Sequence, residues 1–409
     1  TEDTPISLRW NNNGQALKGD FVQIGNHHFG NNATSSATLK ISSASSCLRV
    51  KWAGLYWAST SSGGADYTSD AVNKIDFKVP NKNFQELRAD ARMTTLFGGH
   101  ERLWNCYKDV TALLQSVGPV FNNAEYSVRN FYGGTFGLWT LVVVYEDVSA
   151  GTSKKIYIYD GCKRNFSNYG GMQSVIIPIT GFQTPPAPAV VKARMGVATG
   201  AGNIHSRDEL RINGQLQGQS NYPNRTWDFM DSSISFNNSE SIMPRNPIKP
   251  QGQGYADIDI FDIPNPGNSL IKNGDTSLEI KFDAEDAYMT YVVALSVDAI
   301  APHVETHKEV LGLQNGQWKD FTGKTADFGE ALKYRLKFRN IGNDNVRDAV
   351  LEDLLPKGVT YDDIEQPLPA GVTFVSATPN YNNTGRTMVK FNVDPSILPY
   401  SSSAPFSAP

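Results

Sequence analysis

Two acidic stretches carry the side chains best suited to chemistry in this sequence: Asp257-Ile258-Asp259-Ile260-Phe261-Asp262 and Asp283-Ala284-Glu285-Asp286. Carboxylate oxygens are hard ligands for calcium, which stiffens many extracellular β-modules, so Asp257, Asp259, Asp283 and Asp286 are the candidate metal ligands. Strand alternation explains the first stretch without a metal, with Asp257 and Asp259 on a solvent face and Ile258 and Ile260 turned inward. Aromatic rings form a second candidate set. Tyr157, Tyr159 and Trp227, together with Tyr169 and Tyr222, could stack on the apolar faces of sugars, although core packing is the commoner use of such rings.

Other chemistries lack positioned groups. His27, His28, His100, His205, His303 and His307 fall in no metal-binding word such as H-E-x-x-H, and no G-x-S-x-G elbow occurs. Ser206 beside His205 is not a triad, because the third group must be supplied by folding. The expectation is a chain that is not an enzyme. Cys47, Cys106 and Cys162 have no C-x-x-C spacing, which argues against zinc. In an exported protein they imply one disulfide and one buried thiol, with all three pairings open. A different cross-link would join Lys308 to Asn392 as an intramolecular amide, assisted by a buried carboxylate such as Glu330 or Asp353. A strand lysine is more often a snorkelling surface residue.

The elements that must position these groups are strands. Thirty-five glycines, 22 prolines and only 19% charged residues favour short strands and many turns over long helices. Lys plus Arg is 37 and Asp plus Glu is 41, a net charge of −4, so nothing draws the chain to nucleic acid or an anionic membrane. The longest apolar run, Leu138 to Tyr145, is far short of the roughly 18 residues that cross a bilayer, so no membrane insertion is expected. The start at Thr1, with no Met and no basic-plus-apolar leader, fits a mature exported chain.

Strand-like runs bounded by Gly, Asn, Pro or Ser lie at Leu48 to Tyr56, Ile75 to Val79, Tyr126 to Phe131, Trp139 to Tyr145, Lys155 to Tyr159, Ser174 to Ile179 and Ser277 to Phe282. Trp139 to Tyr145 is apolar almost throughout and predicts a strand covered on both faces. Lys154 to Tyr159 alternates, Ile156 and Ile158 against Tyr157 and Tyr159, which predicts two different environments. One helical turn is expected at Lys108 to Ser116, with Asp109 as its cap. At 409 residues the chain exceeds one core, and Pro302 marks a boundary near Ala299 to Val304. The domains are therefore 1–300 and 304–409, with strands in the second at about Val304 to Gly312, Ala331 to Arg339, Val346 to Leu354, Val372 to Ala377 and Thr387 to Val393.

The second region carries the words Gly329-Glu330-Ala331-Leu332-Lys333-Tyr334-Arg335-Leu336-Lys337-Phe338-Arg339-Asn340-Ile341-Gly342 and Asp353-Leu354-Leu355-Pro356-Lys357-Gly358-Val359-Thr360-Tyr361. It resembles a bacterial cell-surface repeat of pattern N-x-G … D-x-L-P-x-G, which implies an immunoglobulin-like sandwich of about seven strands. Leu55-Tyr56-Trp57-Ala58, Asp109-Val110-Thr111, Leu138 to Glu146, Tyr159-Asp160-Gly161 and Phe282 to Val293 resemble the jelly-roll-like β head that precedes such repeats; Cys162-Lys163-Arg164-Asn165 departs from that pattern. The resemblance implies an all-β surface or filament protein of adhesion or gliding motility, of Bacteroidota type and exported through the outer membrane. Its partners would be other domains of a longer parent chain and a surface glycan or substratum ligand. The alternative is a carbohydrate-binding module of a secreted protein. The run Ser401 to Pro409 stands where the repeat's last strand should follow, so a fragment of a longer protein is expected.

Overall fold

Alternating apolar residues pair into strands along most of the chain, and the one α-helix among the described residues is the short Thr111–Gln115. The computed structural model describes residues 3–28, 33–43, 48–61, 64–97, 101–134, 137–147, 149–150, 152–166, 173–204, 206–237, 239, 245–246, 256–285, 287–300, 302, 304–340, 345–346 and 348–399. The fold is all-β and divides into two compact units, Thr1–Ala299 and Ile300–Pro409.

The first unit is built on an 11-stranded sheet. Its order is Ile234–Phe236, Ala256–Asp262, Ala193–Gly200, Ala287–Asp298, Ser153–Phe166, Leu17–His27, Gly137–Glu146, Arg49–Thr60, Glu101–Asp109 and Ala91–Phe97, with Thr4–Trp10 also paired to Ser153–Phe166. The sheet folds over on itself. Leu17–His27 lies against Ala193–Gly200 and Ala256–Asp262, with Gln23 Nε2 donating to the Val197 carbonyl at 2.9 Å. The approach leaves no room for a side chain at Gly196, where a Cβ would meet Gln23 Oε1 at 2.4 Å.

Two smaller sheets cover the outer faces. A five-stranded sheet (Arg245–Asn246, Ser35–Leu39, Ala124–Arg129, Lys74–Lys78, Gln85–Arg88) packs over the half that holds Trp57 and Trp139. The indole nitrogens of that pair donate to Val72 O and Ser35 Oγ, so burial leaves neither unsatisfied. A four-stranded sheet (Gln173–Thr180, Ser277–Ala284, Glu209–Ile212, Gln215–Leu216) covers the other half through Ile177, Ile179, Leu210, Ile280 and Phe282. Each such side chain removed from water contributes about 1.5–3 kcal/mol.

The expected environments follow from this stack. Gly137–Glu146 is buried up to Glu146. In Ser153–Phe166, Ile156 and Ile158 enter one core while Tyr157 enters the other. Leu17–His27 has no legible alternation, because Lys18, Asp20, Gln23 and Asn26 are buried along with Phe21 and Ile24. Asp20 is held there by Lys154 Nζ at 2.6 Å and Ser296 Oγ at 2.6 Å. The short helix begins at Thr111, and Asp109 accepts from the Thr111 N–H at 2.8 Å from two positions upstream.

The expected disulfide does not form between Cys106 and Cys162, and both are free buried thiols. Cys106 Sγ points at the Val72 carbonyl and Cys162 Sγ at that of Leu103, so each sulfur packs against a different strand or turn. Burial pushes the Cys106 thiol up to about 12 and raises Cys162 well above its ordinary value. Such thiols are inert. Cys47 lies outside the described residues.

The second unit is a smaller sandwich of two three-stranded sheets, Gln317–Asp320 with Val304–Gln314 and Leu332–Asn340, and Ala349–Leu354 with Met388–Val393 and Val372–Thr378. Its core is small, formed by Phe338, Val346, Val372, Val393 and Leu398. Lys308 does not meet Asn392. Its Nζ lies 2.6 and 2.8 Å from the two oxygens of Asp353, an ion pair between the sheets over the Tyr334 ring, while Asn392 is exposed and Glu330 accepts from the Asp327 N–H instead. The amide expected at Lys308 therefore has no facing amide group. Asn340 donates to the Leu398 carbonyl, and Gly358 takes the positive φ of 87° that its corner requires.

Candidate functional site

The two acidic stretches end in different surroundings. Ser277–Ala284 carries Asp283 on the outer face of the four-stranded sheet, opposite Ser174 on one neighbour and Glu209 on the other. Arg207, Arg211 and Lys281 complete an open groove there. Glu209 accepts from Arg207 Nε at 2.7 Å and Arg211 Nη2 at 2.5 Å. Asp283 accepts from Lys281 Nζ at 2.9 Å and Ser174 Oγ at 2.5 Å, with Arg211 Nε 3.4 Å away. Both carboxylates are buried, and charged partners make that burial tolerable. The groove can offer Arg207, more than half exposed, to an anionic group. Asp286 lies outside the described residues.

Asp257 and Asp259 do not face solvent. Their strand pairs with Ala193–Gly200 and, in parallel, with Ile234–Phe236. Ile258 and Ile260 enter one core, as expected. The opposite face is covered by the irregular segment 217–233, whose Phe229 ring sits 5.5 Å from that of Phe261 on the same strand. Both aspartates are consequently buried. Gly202 closes one end, since a Cβ there would lie 2.3 Å from the Met230 carbonyl and 2.5 Å from Asp257 Oδ2.

The covering segment adds Asn224, Asp228 and Asp231, all fully buried. The Asn224 N–H donates to Asp231 Oδ2 at 2.8 Å, and Ser235 Oγ lies 2.7 Å from Asn224 Oδ1 and 2.6 Å from Asp259 Oδ1. The Ser233 N–H donates to Asp257 Oδ1 at 3.1 Å. Arg225 Nη1 is 3.5 Å from Asp228 Oδ2. Burial pushes Asp259 up to about 8 and Asp231 up to about 6, and raises Asp257 well above the carboxylate range, with Asp259 and Asp231 adding repulsion. Sequence patterning singled out Asp257 and Asp259 but missed Asn224 and Asp231, which sit in a segment without a strand or helix period. The only available signal was the density of Asn and Asp between two strands. Among the described residues no three His, Cys, Asp or Glu side chains form a ready metal cluster.

The aromatic candidates divide as well. Tyr157 is buried, its hydroxyl donating to the Thr180 carbonyl, and Tyr159 stacks on it at 6.5 Å. Tyr157 is spent on packing against the four-stranded sheet, and Tyr159, half-buried, packs against the same cluster. Tyr169 lies outside the described residues. Trp227 is 44% exposed, with the Arg225 guanidinium 5.1 Å from its ring centre, and Tyr222 is half-buried five residues upstream.

No helix among the described residues is long and apolar enough to cross a membrane. Residues 16–298 match a family model described as a protein of unknown function, DUF3344. No curated protein and no solved structure matches the chain.

Proposed function

This chain belongs to the DUF3344 family, and we propose that it is a non-catalytic extracellular surface protein acting in adhesion or attachment, its first unit a head and its second a repeat that extends it. The observation that supports this reading is the second unit. The residues that resemble the bacterial surface repeat make up the strand Leu332–Asn340, the Asp353 ion pair and the Gly358 corner of a separate small sandwich. These are structural words that supply a spacer and no reacting group. Partners in this reading are further domains of a longer parent chain and a ligand on a surface, at the cell exterior and in a gliding or adhesion context.

Deleting the gene that encodes this chain is expected to weaken cell attachment or surface movement. Unchanged attachment and movement in the deletion strain would sink the proposal. A carbohydrate-binding reading is favoured by one observation, the open ring of Trp227 beside Arg225. Saturable binding on a glycan array that Trp227→Ala abolishes would establish it; no binding to any glycan would remove it.

A further inference from the structure

The carboxylates within and beneath segment 217–233 are short of positive charge, since Arg225 pairs with Asp228. Asp231, Asp257 and Asp259 are each at most 1% exposed, and none has an ion pair among the described residues. Asp259 Oδ2 and Asp231 Oδ1 are buried with no hydrogen-bond partner. Ser235 has a single hydroxyl proton, yet its oxygen touches both Asn224 Oδ1 and Asp259 Oδ1, so it cannot donate to both. Carboxylates buried in this way must either take up protons or surround a cation.

We infer that the head binds one divalent cation between the Asp231 and Asp259 carboxylates, with the side-chain oxygen of Asn224 between them and Asp257 adding negative charge behind. The donor set is all oxygen, two carboxylates with neutral amide and hydroxyl oxygens, which selects calcium over the softer transition metals. Calcium accepts six to eight oxygens at flexible angles, whereas magnesium demands a near-octahedral shell, so the irregular segment suits calcium. The ligands come from Ala256–Asp262, from Ile234–Phe236 beside it and from segment 217–233, so the ion would pin that segment across the sheet. This inference stands apart from the surface reading and does not depend on it.

The test is the thermal midpoint of the whole chain in EDTA and in rising calcium or magnesium. Calcium at about 100 times its dissociation constant is expected to raise the midpoint by about 5 °C, and magnesium by much less. Asp259→Asn and Asp231→Asn are expected to abolish the rise, and Asp70→Asn, on an exposed turn, to keep it. A wild-type midpoint indifferent to calcium overturns the proposal, and so does a full rise in Asp259→Asn. Should those variants fail to fold, terbium luminescence on the wild-type chain decides: one bound ion displaced by calcium supports the site, and no bound ion overturns it.

Discussion

The two acidic neighbourhoods of the head solve the same problem in opposite ways. Glu209 and Asp283 are buried beneath a groove in which Arg207, Arg211 and Lys281 stand within hydrogen-bonding or ion-pairing reach. Asp231, Asp257 and Asp259 are buried just as deeply, hydrogen-bonded to hydroxyl and backbone N–H groups, while the nearest cation, Arg225, pairs with Asp228. The first arrangement is complete with the protein's own charges, while the second needs something from solution, a proton or a metal ion. Burial alone therefore does not mark a binding site, and the missing counter-charge does.

The largest effect that would break the comparison is expected in the paired region. Arg211→Ala removes a cation shared by Glu209 and Asp283, leaving Arg207 to the first and Lys281 to the second, and should destabilise the head by about 2 kcal/mol in urea unfolding, the order of one lost hydrogen bond to a charged group. A loss no greater than that of an ordinary surface substitution would mean that the groove is more hydrated than its geometry implies.

The unpaired region is sharpened by pH. Asp259 and Asp231 have folded-state pKa values raised above the ordinary carboxylate value, so in EDTA the folded state holds protons that the unfolded chain has released. Their stabilising contribution is fully present below about pH 4, and it is lost as pH rises through about 6 for Asp231 and about 8 for Asp259. Asp259→Asn keeps the shape of the protonated acid and cannot ionise, so its stability in EDTA should fall less than that of wild type across this range. Parallel pH profiles for the two proteins would contradict the assignment. The smallest effect belongs to Asp70, whose pair with Arg88 is open to water at the head's surface. Asp70→Asn should leave the urea midpoint unchanged within error.

Strand order along the chain was largely legible because β-branched and aromatic runs coincide with the observed strands, as at Arg49–Thr60, Gly137–Glu146 and Ser277–Ala284. Leu17–His27 was hidden because its polar residues are buried in a second sheet layer, so its period carries no hydrophobic signal. The site was half legible. Alternation placed Asp257 and Asp259 on one face of their strand, but it assumed that face to be solvated. The covering segment 217–233 comes from elsewhere in the sequence and has no period of its own, so neither its position nor its Asn224 and Asp231 could be read. For the same reason the choice between sugar stacking and core packing for Tyr157 and Tyr159 could not be made from their strand alone: the sheet they pack against is contributed by Gln173–Thr180, Glu209–Ile212 and Ser277–Ala284.

The strand Ala287–Asp298 sends Val293, Leu295 and Val297 into one core and Val292 and Ala294 into the other. It is the shared wall of two rooms. Neither core can be vented to water without stripping a face of that wall, and a half-stripped strand loses its ladder to both Ser153–Phe166 and Ala193–Gly200. The two hydrophobic clusters of the head therefore meet at one strand. A cut between the halves would yield two pieces that each expose an apolar sheet face.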